Sequence, residues 1–279
     1  MKTAATKAII YDDQCPMCVA YTSGFVKWGV LKKEHRVAFS TLHTTGYTAQ
    51  IDPDRSRREI PLVDLKGGKT LYGVDALLFL LSQRIPLIKT VGEWKPVYWF
   101  VNRLYRLVSF NRRVIVGSRF VATQVDCAPV YNIKYRILFL VFAALVAIGV
   151  TALAGNALAG SFQIAGSVSV RNALLVCGAG WLFQAVTALL LLCGERRLEY
   201  LGQLAVLQII GVFPLLLIPF GTTAGSRTVL AIIAVAVSAA LMTWQHFRRM
   251  KNNDFSVGWT ISWIVSLGGT AALLAAVLY

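Results

Sequence analysis

Charge almost vanishes from this chain after Ile137, and no other feature restricts its folding options as much. Five stretches contain no Asp, Glu, Lys or Arg: Ile137–Ala154, Asn172–Cys193, Tyr200–Phe220, Thr228–Trp244 and Val257–Leu278. A helix needs roughly 20 apolar residues to cross a bilayer, and the first and fourth stretches sit at the short end of that range. Hydrocarbon offers a backbone N–H or C=O no partner, so such segments must be helices that satisfy their own polar groups. The sequence predicts an all-α transmembrane bundle of about five spans over residues 134–279.

The front of the chain belongs in another solvent. Residues 1–136 carry 21 Lys/Arg and 10 Asp/Glu, against 7 and 3 in residues 137–279. A charged half joined to a charge-poor half reads as two domains. The net charge of +15 calls for an anionic partner. No zinc-finger spacing and no RNA-binding signature is present, so nucleic acid is set aside and an anionic lipid membrane is expected. The start, MKTAATKAIIYDDQC, lacks the long apolar core of an export signal. With a cytoplasmic N-terminus, five spans place Lys134, Arg136, Arg196, Arg197, Arg248, Arg249 and Lys251 inside and only Arg171 and Arg227 outside, as the positive-inside rule requires. The expectation is an integral membrane protein of the bacterial inner membrane, with Tyr279 on the outer side. No charged residue falls mid-span in this assignment. Gln184, Gln203 and Gln208 read as helix–helix hydrogen-bonding groups, Pro214 and Pro219 as a kink, and Gly178 and Gly180 as sites of close packing.

In the front half, Lys7–Tyr11 reads as a buried strand, Val19–Leu31 as a helix and His35–Ser40 as a second strand. Pro61–Leu65 and Thr70–Tyr72 form a hairpin across Lys66-Gly67-Gly68-Lys69, and a helix begins near Ala76. Cys15 and Cys18 fall where the first strand turns into the first helix. In a reducing compartment a close pair of cysteines means redox chemistry or metal rather than a structural disulfide. Only a thiolate attacks a disulfide, and the unpaired N–H groups and dipole of a helix start favour an anion. Pro16 suits the first helical position because its missing N–H has no helical partner to lose. Cys18 lies one turn further on the same face, so Cys15 attacks and Cys18 resolves the mixed disulfide. Asp12 has two opposed effects. Its charge raises the pKa of a nearby thiol, and its carboxylate can accept the proton that Cys18 gives up. Met17 completes a Cys-Pro-Met-Cys turn. This exchange needs no cofactor and no metal.

The order of elements around this turn resembles the thioredoxin/glutaredoxin fold, an α/β domain. Asp12-x-x-Cys15-Pro16-x-Cys18 after an apolar strand resembles the DCC family of thiol-disulfide oxidoreductase-like proteins. Ile60-Pro61-Leu62, Gly73-Val74-Asp75-Ala76 and the run Tyr105-Arg106 to Asn111-Arg112 are of the same kind, and the resemblance spans roughly residues 6–115. Asp13 stands where the family pattern has glycine and adds a negative charge near the thiols. The resemblance implies that Pro61 is held cis beside the cysteines and that Ile60 offers backbone groups to an incoming substrate chain, protein or small-molecule thiol or disulfide.

The expected organisation is a thioredoxin-like domain at 1–92, a basic aromatic helical linker at 93–133 and the membrane domain at 134–279. Asn102, Arg106, Ser109 and Arg113 follow helical spacing, flanked by Arg103 and Arg112 and surrounded by Trp94, Tyr98, Trp99, Phe100, Leu104, Leu107 and Val108. That pattern fits a helix lying on anionic headgroups through Arg103, Arg106, Arg112 and Arg113, or one packed on the domain with its arginines in water. Cys177 and Cys193, assigned to one helix, lie about 24 Å apart along its axis and cannot bond to each other; Cys127 precedes the first span. The sequence thus points to a membrane-anchored, cytoplasm-facing thiol-disulfide oxidoreductase. Two other readings stay open. One is a non-catalytic thioredoxin-like adaptor on a membrane transport or partner-binding module. The other is a membrane protein that handles a soft metal through Cys15, Cys18 and Met17; a structural zinc would need two more ligands, and the only nearby candidates, His35 and His43, sit at no recognised interval.

Overall fold

The computed structural model of the chain describes residue 4 and residues 6–117, 131–162, 166–220 and 223–278. The chain divides into two compact units, Met1–Arg136 and Ile137–Tyr279.

The first unit is built on a four-stranded mixed sheet. Its strands are β1 (Lys7–Tyr11), β2 (Arg36–Ala38), β3 (Pro61–Asp64) and β4 (Leu71–Tyr72), in the spatial order β2-β1-β3-β4. β1 runs parallel to β2 through a crossover containing α1 (Pro16–Lys27), while β3 is antiparallel to both β1 and β4. This is the thioredoxin-like order that the sequence implies. Successive side chains of a strand face opposite sides of the sheet. Ile9 and its cross-strand partner Leu62 therefore enter one core with Phe25, Val30, Leu31, Ala76 and Leu80. Ile10 and Val63 enter another with Phe39, Leu42 and Ile51. Both faces are covered, which is why Ile9-Ile10 and Leu62-Val63 are continuous apolar pairs rather than alternating ones. Lys7 sits opposite Asp64 in the register, and its ammonium lies 2.7 Å from that carboxylate.

The segment between β2 and β3 is made of short 3-10 turns and one turn of helix, α2 (Pro53–Ser56). Asp52 caps α2 by accepting from the backbone N–H groups of Asp54 and Arg55. After the hairpin, α3 (Gly73–Ser82) starts on a left-handed residue, Gly73, with φ of 55°. A Cβ there would stand 3.2 Å from the Tyr105 ring. α4 (Leu87–Glu93) and α5 (Lys95–Val116) complete the unit. α5 packs on α1, α3 and α4, so residues 95–116 belong to this unit and are not a separate linker.

The second unit is helical: α6 (Ile133–Phe162, beginning in the first unit), α7 (Gly166–Leu191), α8 (Glu195–Val212), α9 (Ala224–Asn252) and α10 (Gly258–Leu278). Four of these regions are long and apolar enough to cross a membrane, and α10 adds 21 uncharged residues. Large apolar side chains such as Leu145, Leu182, Leu190, Ile232 and Val265 stand exposed, as expected where lipid is the solvent. α6 runs past Ala154, the expected end of the first span, and at Gly155 the Val170 backbone comes close: an added Cβ would meet Val170 Cα at 2.8 Å. α8 ends at Val212 and continues as a 3-10 helix over Phe213–Phe220, where Pro214 and Pro219 remove two backbone donors.

The three glutamines bridge helices. The Gln184 amide donates to Ser262 and Ser266 of α10, Gln208 donates to Thr151 of α6, and Gln203 accepts from Arg249 of α9. The fourth span runs past its expected end: α9 continues two turns beyond Trp244, and the Arg249 side chain near its end is 1% exposed. His246, one turn earlier, is buried too; it stacks on Trp263 and bonds to Thr260. Cys193 lies just beyond α7, not within it, and Cys127 lies outside the described residues.

Candidate functional site

β1 ends at Tyr11, and the chain turns through Asp12, Asp13 and Gln14 into α1. Cys15 is the N-cap, in extended conformation, and its carbonyl accepts the first helical bond from Val19 N–H at 3.0 Å. Pro16 occupies the first helical turn and Cys18 follows on it. The turn is tightened by Cys15 N–H donating to the Asp12 carbonyl at 3.3 Å and by Gln14 N–H donating to Asp12 Oδ1 at 3.1 Å. Cys15 and Cys18 are free thiols, 2% and 4% exposed.

Neutral Cys15 makes no side-chain cap bond; ionisation gives it partners. The Cys18 thiol is the largest influence and stabilises the anion, burial opposes it, and the Cys18 backbone N–H and the Arg112 guanidinium favour it again. Asp12 works against it. Together these lower the Cys15 pKa from the ordinary cysteine value to about 6. Cys18 moves the other way: donating to Cys15 and being buried both hold its proton. One acidic sulfur and one retained thiol make an attacking group and a resolving group out of two identical residues.

Asp12 is buried, and its Oδ2 lies 2.8 Å from Nη2 of Arg112, also buried, near the end of α5. Arg112 is therefore not at a membrane interface, and that expectation is withdrawn: its position on α5 turns it into the site. Of the face Asn102, Arg106, Ser109 and Arg113, Ser109 is buried and donates to the Arg58 carbonyl; Asn111, off that face, is buried too and donates to the carbonyls of Leu107 and Tyr135. Arg103 and Arg106 do stand exposed, Arg103 stacking over Trp99 among exposed Trp99, Phe100 and Leu104, and Arg113 is half-buried. Asp13 turns away from the sulfurs, accepting from the backbone N–H and hydroxyl of Ser40. Pro16 and Met17 flank the sulfurs on α1, Met17 half-buried.

Ile60 and Pro61 depart from expectation. Their peptide bond is trans. Ile60 is buried, its N–H donates to the Tyr105 hydroxyl at 3.0 Å, and its carbonyl accepts from Gly73 N–H at 2.9 Å. Both backbone groups expected to meet a substrate chain are already satisfied within the unit. Tyr105 is buried enough for its pKa to rise to about 12. Tyr21, on α1 beside Cys18, is likewise pushed above its ordinary value, first by burial and then by Cys18. Arg112, Tyr105 and Tyr21 were not assigned to the site from sequence. Tyr21 falls one turn beyond Cys18, a spacing that could have found it; nothing local ties residues 105 and 112 to residue 12. Among the described residues no group of three or more His, Cys, Asp or Glu side chains gathers to hold a metal.

A mixed sheet in this order, with a Cys-Pro-Met-Cys turn opening its first helix, defines a thioredoxin-like dithiol domain. Residues 9–118 match the family described as DCC1-like thiol-disulfide oxidoreductase, and the first unit carries a DCC1-like domain. The match runs from β1 to the end of α5, the same extent over which the site residues are drawn together. No curated protein and no solved structure matches the chain.

Proposed function

We propose that this is a membrane-anchored thiol-disulfide oxidoreductase whose working group is the Cys15/Cys18 dithiol, facing the cytoplasm of a bacterial cell from the inner membrane. The observation that carries the reading is the geometry of the turn: Cys15 caps α1, Cys18 follows one helical turn on, both are free thiols, and Asp12 of the same turn is paired with Arg112. The Cys15 thiolate attacks a substrate disulfide, forming a Cys15–substrate disulfide and releasing one substrate thiolate. Cys18 passes its proton to Asp12 and attacks the Cys15 sulfur. The Cys15–substrate bond breaks, the second substrate thiolate leaves, and the Cys15–Cys18 disulfide remains. Two electrons have moved from the dithiol to the substrate, and cellular thiols return them.

The satisfied Ile60 backbone favours a low-molecular-mass disulfide over an extended protein chain as substrate. Anionic headgroups are the expected surface for the exposed Trp99, Phe100, Arg103, Leu104 and Arg106 of α5. Burial does not change the side on which Arg249 lies, near the end of α9, and seven basic residues against two favour the cytoplasmic orientation. The burial of both sulfurs is the one feature that favours a non-catalytic adaptor instead.

The two readings separate in one experiment. The full chain, with Cys127, Cys177 and Cys193 replaced by Ala, is equilibrated in detergent with graded glutathione buffers and quenched by alkylation. A reversible Cys15–Cys18 disulfide, lost in Cys15→Ser and Cys18→Ser, and a mixed disulfide trapped on Cys15 in Cys18→Ala, support the oxidoreductase. Sulfurs inert across the whole range support the adaptor.

A further inference from the structure

We propose that Arg112 is a positioning residue of the dithiol site, clamping the Asp12 carboxylate behind the cysteine turn and setting its own positive charge beside both sulfurs. The proposal deepens the oxidoreductase reading and rests on it. Arg112 and Asp12 are 6% and 7% exposed, and their 2.8 Å contact is the sole link an ion pair makes between α5 and the β1–α1 turn among the described residues. A charge-assisted bond in such a setting is short, directional and little screened by salt. Asp12 is held at both oxygens: Oδ1 by Gln14 N–H within the turn and Oδ2 by Arg112 across the unit. Gln14 alone would leave the carboxylate free to rotate; the second bond ties it to α5 and fixes its plane.

The charge logic is independent of that anchoring. A buried carboxylate by itself opposes a thiolate at Cys15, and the guanidinium favours one. The same two opposed influences act on Cys18. Arg112 thus lets the site keep a proton acceptor without losing its acidic sulfur. The other ionisable groups facing the sulfurs are Tyr21 on α1 and Tyr105 on α5, with Glu59 behind Tyr105. Asp13 is engaged by Ser40, and the nearby start of β3, Ile60 and Pro61, brings no ionisable side chain.

The test is the pH profile of Cys15 alkylation by iodoacetamide in the full detergent-solubilised chain, read by mass spectrometry of the Cys15 peptide. It needs a thiol but no turnover. Arg112→Met should raise the midpoint by about one pH unit, because an opposite charge is lost. Arg112→Lys, which keeps the charge, should stay nearer the wild type. Asp12→Asn should lower the midpoint, and Asp12→Asn/Arg112→Met should return toward the wild-type value. An unmoved midpoint in Arg112→Met, or Arg112→Lys behaving as Arg112→Met does, overturns the proposal. If Arg112→Met fails to fold, Asp12→Asn and the double variant decide: a midpoint that rises or stays put in Asp12→Asn also overturns it. Failure of the underlying reading looks different, since the wild-type chain would then form no Cys15–Cys18 disulfide even while these midpoints shift.

Discussion

At the residue scale, Cys15 owes its acidity first to Cys18 and only then to the helix start and Arg112. The sign of the pH dependence follows. A thiol with a lowered pKa is reactive above that value and protected below it, so wild-type Cys15 should alkylate with a midpoint near pH 6. Cys18→Ala removes the largest stabiliser of the anion and should move that midpoint up toward an ordinary cysteine, a shift readable in the same profile. The pair itself was legible in the sequence, because Asp12, Cys15, Pro16 and Cys18 lie within one turn of chain and their chemistry is local. Arg112 was not, because its partner is 100 residues away and an arginine in a basic, aromatic helix looks like a surface residue until the rotation of that helix is known.

At the scale of elements, α5 decides whether the site is complete. Its Tyr105 satisfies Ile60 just before β3, and its Arg112 satisfies Asp12 in the cysteine turn. Tyr105→Phe leaves the Ile60 N–H buried without its partner and should destabilise the chain by about 1–3 kcal/mol, measured by denaturant titration of Trp fluorescence in detergent. Leu62→Ala, in the central antiparallel strand and fully buried, should cost about 2–5 kcal/mol in the same measurement. The strands and α1 could be read from sequence because their apolar residues have a fixed side to face. The trans Ile60–Pro61 bond could not, since it depends on what Tyr105 and Gly73 supply from elsewhere.

At the scale of the whole molecule, a charged α/β unit and an apolar helical unit coexist on one chain. The existence of the spans was plain from the missing charges. Their ends were not, since α6 and α9 continue as helix through the small and polar residues that follow the assigned stretches. Arg249 inside the bundle should matter to it: Arg249→Ala leaves Gln203 buried without its donor and should lower the thermal stability of the solubilised chain, whereas Arg248→Ala on a less buried face should not.

The long reach from Asp12 to Arg112 also imposes an order in time. Ribosomes add roughly 5–20 residues per second, so Cys15 and Cys18 emerge about 5–20 s before the arginine that completes their surroundings. During that interval the newborn polypeptide already has Cys18 and the helix start beside Cys15, but the neighbouring Asp12 carboxylate has no counter-charge. That balance is struck only when the last helix of the domain folds back over the first turn, just as translation reaches the segments destined for lipid.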